Sequence, residues 1–263
     1  MPKTSAAIFV EPGRIVLADR PIPDPLDAVI GITTPTICGT DVHILKGEYP
    51  VARGLTIGHE PVGVITKLGS QVRGYQEGQR VIAGAITPSG TSNACLCGVH
   101  SQDGEGTAHG WKAMGDWRFG NTIDGAQAEY LLVPGAMANL APVPDSLTDE
   151  QVLMCPTSYR PACRAPKAQR FAWGTSWPCS RRARSGLCAT ANARLMGATT
   201  IIAVEGVPAR IEMAQRMGAD HVIDFGKVDV VAEIMRLTGG RGVDVAIEAL
   251  GMQDTFEAGG CAS

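Results

Sequence analysis

Short apolar runs at 6–10, 14–17, 28–33, 62–68, 80–85 and 128–133 alternate with turns of Gly, Pro and Asp. Strands of that length and spacing predict a small barrel or sandwich over the first 150 or so residues. Residues 87–124 are rich in Gly, Ser, Thr and Asn and read as a long loop. From Gly186 the period lengthens. Residues 187–196 are helical in composition and stop at Gly197, and 199–204 is the β-branched run of a buried parallel strand. Residues 208–217 open with proline in the first helical position and close at Gly218. A short strand at 222–225, an amphipathic helix at 228–237 and a strand at 243–249 come next. This β-α-β-α-β order predicts a parallel doubly wound sheet, here without its first strand and its last several elements.

The 263 residues are 44% hydrophobic and 19% charged, enough apolar surface for a sizeable core and too little charge for a disordered chain. No stretch approaches the roughly 18 apolar residues of a membrane helix, and the N-terminal apolar run is too short for a signal peptide. A soluble cytoplasmic protein with no membrane partner is expected. The net charge of −3 hides an asymmetry. Residues 157–185 hold seven basic side chains (Arg160, Arg164, Lys167, Arg170, Arg181, Arg182, Arg184) and no acid. The remainder carries 16 basic against 26 acidic residues. The eight cysteines are irregularly spaced, which argues against a disulfide framework. Cys95 and Cys97 form a C-x-C with no second pair nearby, unlike the paired C-x-x-C of a structural zinc site.

Candidate chemistry lies in Cys38-Gly-Thr-Asp-Val-His43, succeeded by Gly58-His-Glu-Pro-Val-Gly63, Gly69 and Val72. Thiolate and imidazole suit Zn²⁺, which can polarise an alcohol oxygen and lower its pKa so that hydride leaves from carbon. Cys38 and His59 are candidate ligands, and Glu60 either ligates the metal or hydrogen-bonds the ligands. Thr40 and His43 are candidates for a proton relay from the substrate hydroxyl.

The combined pattern G-H-E-x2-G-x5-G-x2-V, with C-G-T-D-x-H about twenty residues upstream, resembles the zinc-dependent alcohol dehydrogenases of the medium-chain dehydrogenase/reductase family. The bacterial secondary-alcohol (isopropanol-type) branch is the most similar. Residues 74–81, 117–121, 124–133 and 149–156 add to the resemblance, which covers 5–156 and 186–257. It implies an α/β plus β protein: an N-terminal GroES-like β-barrel domain (1–156) and an incomplete Rossmann doubly wound parallel sheet (186–263). By resemblance Cys38 and His59 hold zinc, Glu60 is at or beside it, and Thr40 and His43 relay the proton. The substrate implied is a small alcohol with its ketone or aldehyde. Intact family members pair as homo-oligomers.

The chain departs from the family at 157–185. The branch has an Asp zinc ligand where Thr157 stands, then a helix, an apolar strand and a Gly-rich turn that holds the pyrophosphate on backbone N–H groups. Here only Gly186 remains of that turn, and no strand is expected. A one-base loss near codon 157 with a one-base gain near codon 185 accounts for this. In the shifted frame the first base of each present codon becomes the middle base, and a middle T encodes an apolar residue. One allowed decoding of 175–186 is D-I-V-A-V-F-A-Q-G-P-I-G. The C-terminus decodes similarly, so the chain reads as frameshifted and truncated. The alternative to an active enzyme is therefore a catalytically inactive frameshifted remnant of one. A genuine insertion whose arginines bind nucleic acid is disfavoured, because the segment lacks helical periodicity and aromatic interleaving.

Glu205 comes directly after the strand that succeeds the Gly186 helix. An acid there can accept hydrogen bonds from adenosine ribose hydroxyls and repel a 2′-phosphate, favouring NAD over NADP. Gly251 lies on the nicotinamide side by resemblance.

Overall fold

The computed structural model describes residues 3–23, 27–104, 117–155, 175–179, 183–249 and 253–262. The chain divides into two compact units, Met1–Thr157 and Ser158–Ser263.

The first unit is built on antiparallel strands. Strands β1 (Lys3–Glu11) and β2 (Arg14–Pro21) form a hairpin whose tight turn puts Gly13 at φ +82°. Five further strands make a sheet in the order β6-β3-β4-β5-β7: β3 (Ala28–Pro35), β4 (Pro61–Leu68), β5 (Arg80–Ala83), β6 (Tyr130–Val133) and β7 (Leu140–Pro142). Alternation of side chains about each strand buries Ile30, Ile65, Val81, Leu131 and Val133 around Phe119, which is fully enclosed. Among the described residues, four short helices decorate the sheets: α1 (Gly39–Leu45), α2 (Asn93–Leu96), α3 (Ala136–Asn139) and α4 (Asp149–Val152). Asp149 ties α4 to the sheet, accepting from Thr33 on β3 and from Arg80 on β5 at 2.7 Å. Among its described residues, the stretch expected to be one long loop contains α2 and a 3₁₀ turn at His100–Gln102, with Ser92 capping α2. Isolated bridges join Ile86 to Trp117 and Phe119 to Ile123.

The second unit is a parallel sheet in the order β10-β9-β8-β11. Its elements are β8 (Thr175–Cys179), α5 (Ala183–Leu195), β9 (Thr200–Val204), α6 (Pro208–Arg216), β10 (His221–Ile223), α7 (Val230–Leu237), β11 (Val245–Glu248) and α8 (Gln253–Ala262). Pro208 opens α6, Asp229 caps α7 by accepting from Ala232 N at 2.8 Å, and Gly218 lies just past α6 at φ +104°. Ile202, Val204, Ile223, Ile234 and Val243 form its core.

One expectation is corrected. The missing first strand is present, drawn from inside the arginine-rich segment. Thr175–Cys179 pairs in parallel with β11 on one side and β9 on the other. Between them β9 and β11 would otherwise face each other with two unpaired edges, and backbone groups in a sheet interior require partners. The ladder to β9 joins Thr175 and Ser176, skips Trp177 and Pro178, and resumes at Cys179. Proline has no N–H to give at that point.

Candidate metal centre

Cys38 is the N-cap residue of α1, extended at φ −91° and ψ 161°. Its backbone N–H donates to Asp41 Oδ2 at 2.7 Å, so the acid three residues on closes a capping box that fixes the start of the helix. The thiol is thereby held at a helix N-terminus, with Sγ 3.8 Å from Thr40 Oγ1.

His59 and Glu60 reach the same place from the entry to β4, and both are nearly inaccessible to solvent. The glycines around them explain how. Gly58 sits at φ +96°, and a Cβ there would lie 2.7 Å from Gln127 Cγ and 2.8 Å from Gln127 N. A Cβ on Gly125 would approach Gly58 O to 2.2 Å, and one on Gly120 would approach Gly58 N to 2.9 Å. Three glycine backbones thus touch, and the ladder Gln127 N to Ile57 O (2.8 Å) and Ala126 N to Gly58 O (2.9 Å) locks the loop. The stretches 117–121 and 124–133, which sequence marks only by resemblance, are the surface on which the Gly-His-Glu loop rests. Trp117 packs edge-on to His59 with ring centroids 6.0 Å apart, and donates through Nε1 to Phe119 O.

One ligand atom each from Cys38, His59 and Glu60 lie within 4.8 Å of one another. Zinc bonds of about 2.0–2.3 Å place tetrahedral ligands about 3.5 Å apart, so a contraction of about 1 Å closes the set around one ion. The electrostatics agree with that donor set. Burial pushes the Cys38 thiol up, but the hydrogen bond with His59, the Thr40 backbone N–H and the His59 charge hold it below its ordinary value. Burial pushes His59 down, but the bond to Cys38 and the charges of Cys38, Asp41 and Glu60 raise it. Both shifts favour the charged forms of the two groups, a thiolate being the form in which Cys38 would bind a metal. His59 Nδ1 is buried, makes no hydrogen bond among the described residues, and lies 3.9 Å from Asp41 Oδ1. Glu60 accepts from the Thr36 hydroxyl.

Thr40 and His43 are one helical turn apart on α1. No hydrogen bond joins them among the described residues. Instead His43 Nδ1 contacts the Glu48 carboxylate, and its ring lies 5.3 Å from that of Tyr49. Sequence reasoning missed Asp41, Thr36, Glu48 and Trp117. Only Asp41 had a readable signal, since an acid at the third helical position marks a capping box.

Two family models match the chain: an alcohol dehydrogenase GroES-like domain over residues 24–145 and a zinc-binding dehydrogenase domain over 186–259. An alcohol dehydrogenase of Cupriavidus necator is 61% identical over 261 residues, covering 96% of this chain and 71% of the relative. The chain belongs to the zinc-dependent alcohol dehydrogenase family. The NADP-dependent isopropanol dehydrogenase of Thermoanaerobacter brockii is 32% identical over 90% of this chain and 65% of its own length. The apo structure of a zinc-dependent alcohol dehydrogenase from Streptococcus pneumoniae superposes with a TM-score of 0.83 at 30% identity, covering 98% of this chain and 72% of that one. The chain is accordingly an oxidoreductase of the class acting on CH–OH groups, and the matches favour the enzyme over an inactive remnant of one.

In this dehydrogenase the residues expected to meet the cofactor lie in the second unit. Gly186 is buried and lies within the first turn of α5 rather than in a turn before it, its carbonyl accepting from Thr190 Oγ1 at 3.1 Å. That corrects the expectation of a surviving turn glycine: Ala183 and Arg184 begin the helix three residues early. Glu205 leaves the end of β9 and is buried. Its carboxylate accepts from Gly206 N at 2.8 Å and Val207 N at 3.0 Å, and takes the Arg210 guanidinium at 2.8 and 3.0 Å. Gly251 and Thr157 lie outside the described residues. Among those residues no helix is long and apolar enough to cross a membrane.

Proposed function

We propose that the enzyme oxidises a small secondary or short primary alcohol to its ketone or aldehyde, and runs the reverse reduction, with Zn²⁺ at Cys38, His59 and Glu60 and NAD as the hydride acceptor. The observation that carries this reading is the convergence of the Cys38 thiol, at the start of α1, with the His59 imidazole and the Glu60 carboxylate, on a loop packed by three touching glycines. Zinc supplies Lewis acidity, lowering the pKa of the alcohol oxygen. The chain's own part is to hold the metal's ligands, exclude water and move the proton. Thr40, beside Cys38 Sγ, takes the hydroxyl proton as it passes its own to His43, and the imidazolium releases a proton to solvent. Bound NAD would supply the hydride acceptor.

NAD is favoured over NADP by Glu205, a buried carboxylate at the end of β9. Arg210 shares that carboxylate, so the choice is a balance between the acid and its partner. Gly251 is the further proposed cofactor contact, and Gly186, inside α5, could contribute only through its position in the first turn of that helix. The domain division proposed is 1–156 for the metal domain and 186–263 for the dinucleotide domain, in a cytoplasmic protein that acts on small molecules.

The test combines metal content with turnover. Purified protein is dialysed against Zn²⁺ and assayed on 2-propanol and ethanol with NAD and with NADP. About one zinc per chain, lost in Cys38→Ser and His59→Ala, together with NAD-linked turnover, is the expected result. Zinc retained by both variants would overturn the site, and a preference for NADP would overturn the role of Glu205.

A further inference from the structure

We propose that Glu48 is the positioning residue of His43: its carboxylate accepts the Nδ1–H of the imidazole and so leaves Nε2 as the ring's acceptor toward Thr40. The inference rests on the Thr40–His43 relay proposed above, and adds the group that makes the relay directional.

The geometry begins with the end of α1. Lys46 caps the helix, and Gly47 at φ +77° reverses the chain. A Cβ at Gly47 would lie 2.9 Å from Pro12 Cγ, so the reversal is pressed against the β1–β2 turn and favours glycine on two counts. The reversal brings Glu48 back along the helix. Its backbone N–H donates to His43 O at 2.9 Å, and its side-chain Oε2 contacts His43 Nδ1. Glu48 is therefore bound to His43 through both main chain and side chain.

A carboxylate can only accept, so the contact requires the proton on Nδ1. The charge on Glu48 is secure. The bond to His43 holds the carboxyl below its ordinary value, with desolvation opposing it and the Lys46 charge adding to it. In a free neutral imidazole the proton divides between the two nitrogens. An Nε2–H form would present Thr40 with a donor where the relay needs an acceptor. Exposed ion pairs of this kind contribute little to stability, and here the side chains are 32% and 49% exposed. The pair's value lies in tautomer and orientation instead.

The next residue extends the arrangement. Tyr49 lies against His43 at 5.3 Å and edge-on to Trp117 at 5.9 Å, and Trp117 lies edge-on to His59 at 6.0 Å. The two residues after Gly47 thus clamp the imidazole from two sides, Glu48 on Nδ1 and Tyr49 on the ring. The charged groups at this end are Glu48 and Lys46, both beside open solvent into which a proton can leave.

Long-range ¹H–¹⁵N correlation spectra of the full chain report the tautomer directly, with His43→Ala identifying the resonance. Wild type is expected to show neutral His43 almost wholly as Nδ1–H. Glu48→Ala is expected to shift the ratio of the two forms by about tenfold toward Nε2–H, and Glu48→Asp to restore it partly. An unchanged tautomer in Glu48→Ala overturns the proposal, and Glu48→Gln, which keeps an accepting oxygen without charge, separates geometry from charge if the alanine variant folds poorly. Turnover gives the second readout. Positioned proton transfer contributes about 10²–10⁴-fold in general. Glu48→Ala is expected to lower kcat for alcohol oxidation about tenfold below pH 8, with KM unchanged and added imidazole restoring the rate. Loss of rate in His43→Ala but not in Glu48→Ala overturns this proposal alone. No loss in His43→Ala overturns the relay on which it rests, whatever the tautomer.

Discussion

Replacing Gly58 by alanine tests whether glycine contacts hold the metal loop. Two costs are separable at this position. The φ of +96° is one that L side chains rarely adopt, a strain of about 1–3 kcal/mol. The new methyl would also lie 2.7 Å from Gln127 Cγ and 2.8 Å from Gln127 N. The Gln127 side chain can swing away, but its backbone N–H is engaged with Ile57 O at 2.8 Å and cannot move without opening the ladder. Overpacking of this kind costs about 1–3 kcal/mol. The sum is about 2–6 kcal/mol, against a total stability of about 5–15 kcal/mol for a typical domain. Gly54→Ala is the control: its φ is +86° with nothing within 4 Å of a built Cβ, so it carries the strain without the contact.

The expected result is that Gly58→Ala lowers the urea midpoint well beyond Gly54→Ala, the difference amounting to about 1–3 kcal/mol. Because residue 58 adjoins His59, zinc affinity measured by chelator competition should also fall at least about tenfold, a loss of about 1.4 kcal/mol, while Gly54→Ala leaves it unchanged. Equal destabilisation by the two variants, or unaltered zinc affinity in Gly58→Ala, would refute the reasoning.

Asp41→Asn should weaken zinc binding about 10–100-fold, the usual effect of removing a carboxylate that supports a ligand histidine, with helical circular dichroism retained; unchanged affinity would remove Asp41 from the site. Thr157→Asp should raise zinc affinity at least about tenfold if the branch's carboxylate ligand is what the chain lacks, and a titration showing no gain would count against that. Asp149 is held below its ordinary value first by the Thr33 hydroxyl and then by Arg80. A carboxylate depressed in the folded state adds stability above the unfolded pKa of about 3.9 and loses it as pH falls through the folded value. Urea midpoints should therefore drop below about pH 4 in wild type and drop less in Asp149→Asn; parallel curves would contradict this. Sequencing codons 155–188 should reveal an apolar reading of 176–180 in the frame shifted by one base, and stop codons there would end the frameshift account.

The strands of the first unit were legible mostly as short apolar runs set between turn residues. The expected runs at 28–33 and 62–68 match β3 and β4 within two residues. Strand β7 was not legible: Leu140–Pro142 is three residues long, ends in proline, and is a strand only because β5 lies beside it. The ligand residues stood out in sequence because metal chemistry admits few residue types. The groups that position them did not, because nothing local distinguishes Trp117 from any other buried aromatic until the fold brings it to His59. Glu48 was hidden for a different reason. Its role depends on the reversal at Gly47, and a glutamate after a helix reads as solvated surface.

Strand β8 shows how far neighbours can determine an element that its own residues do not specify. Proline in the middle of a parallel sheet argues against a strand, and Thr-Ser-Trp-Pro-Cys has no continuous apolar run. Yet β9, whose residues are buried almost without interruption, and β11 leave one strand-width between them, and the doubly wound order requires the first strand there. The chain fills the place at a cost visible in the ladder, which skips Trp177 and Pro178 on the β9 side. One allowed decoding of the shifted frame has D-I-V-A-V over these same five positions, a run rich in β-branched residues with no proline. The flanking strands place a strand here, and the frameshift account, if the codons bear it out, would place one at the same five positions. The two diverge past the end of the strand. The shifted reading continues into a glycine-rich turn before the helix, whereas Ala183 and Arg184 already belong to α5 and leave Gly186 inside it. The demand of neighbouring backbones can impose a strand on a poor sequence, but it cannot supply a turn whose use depends on glycines that the sequence does not contain.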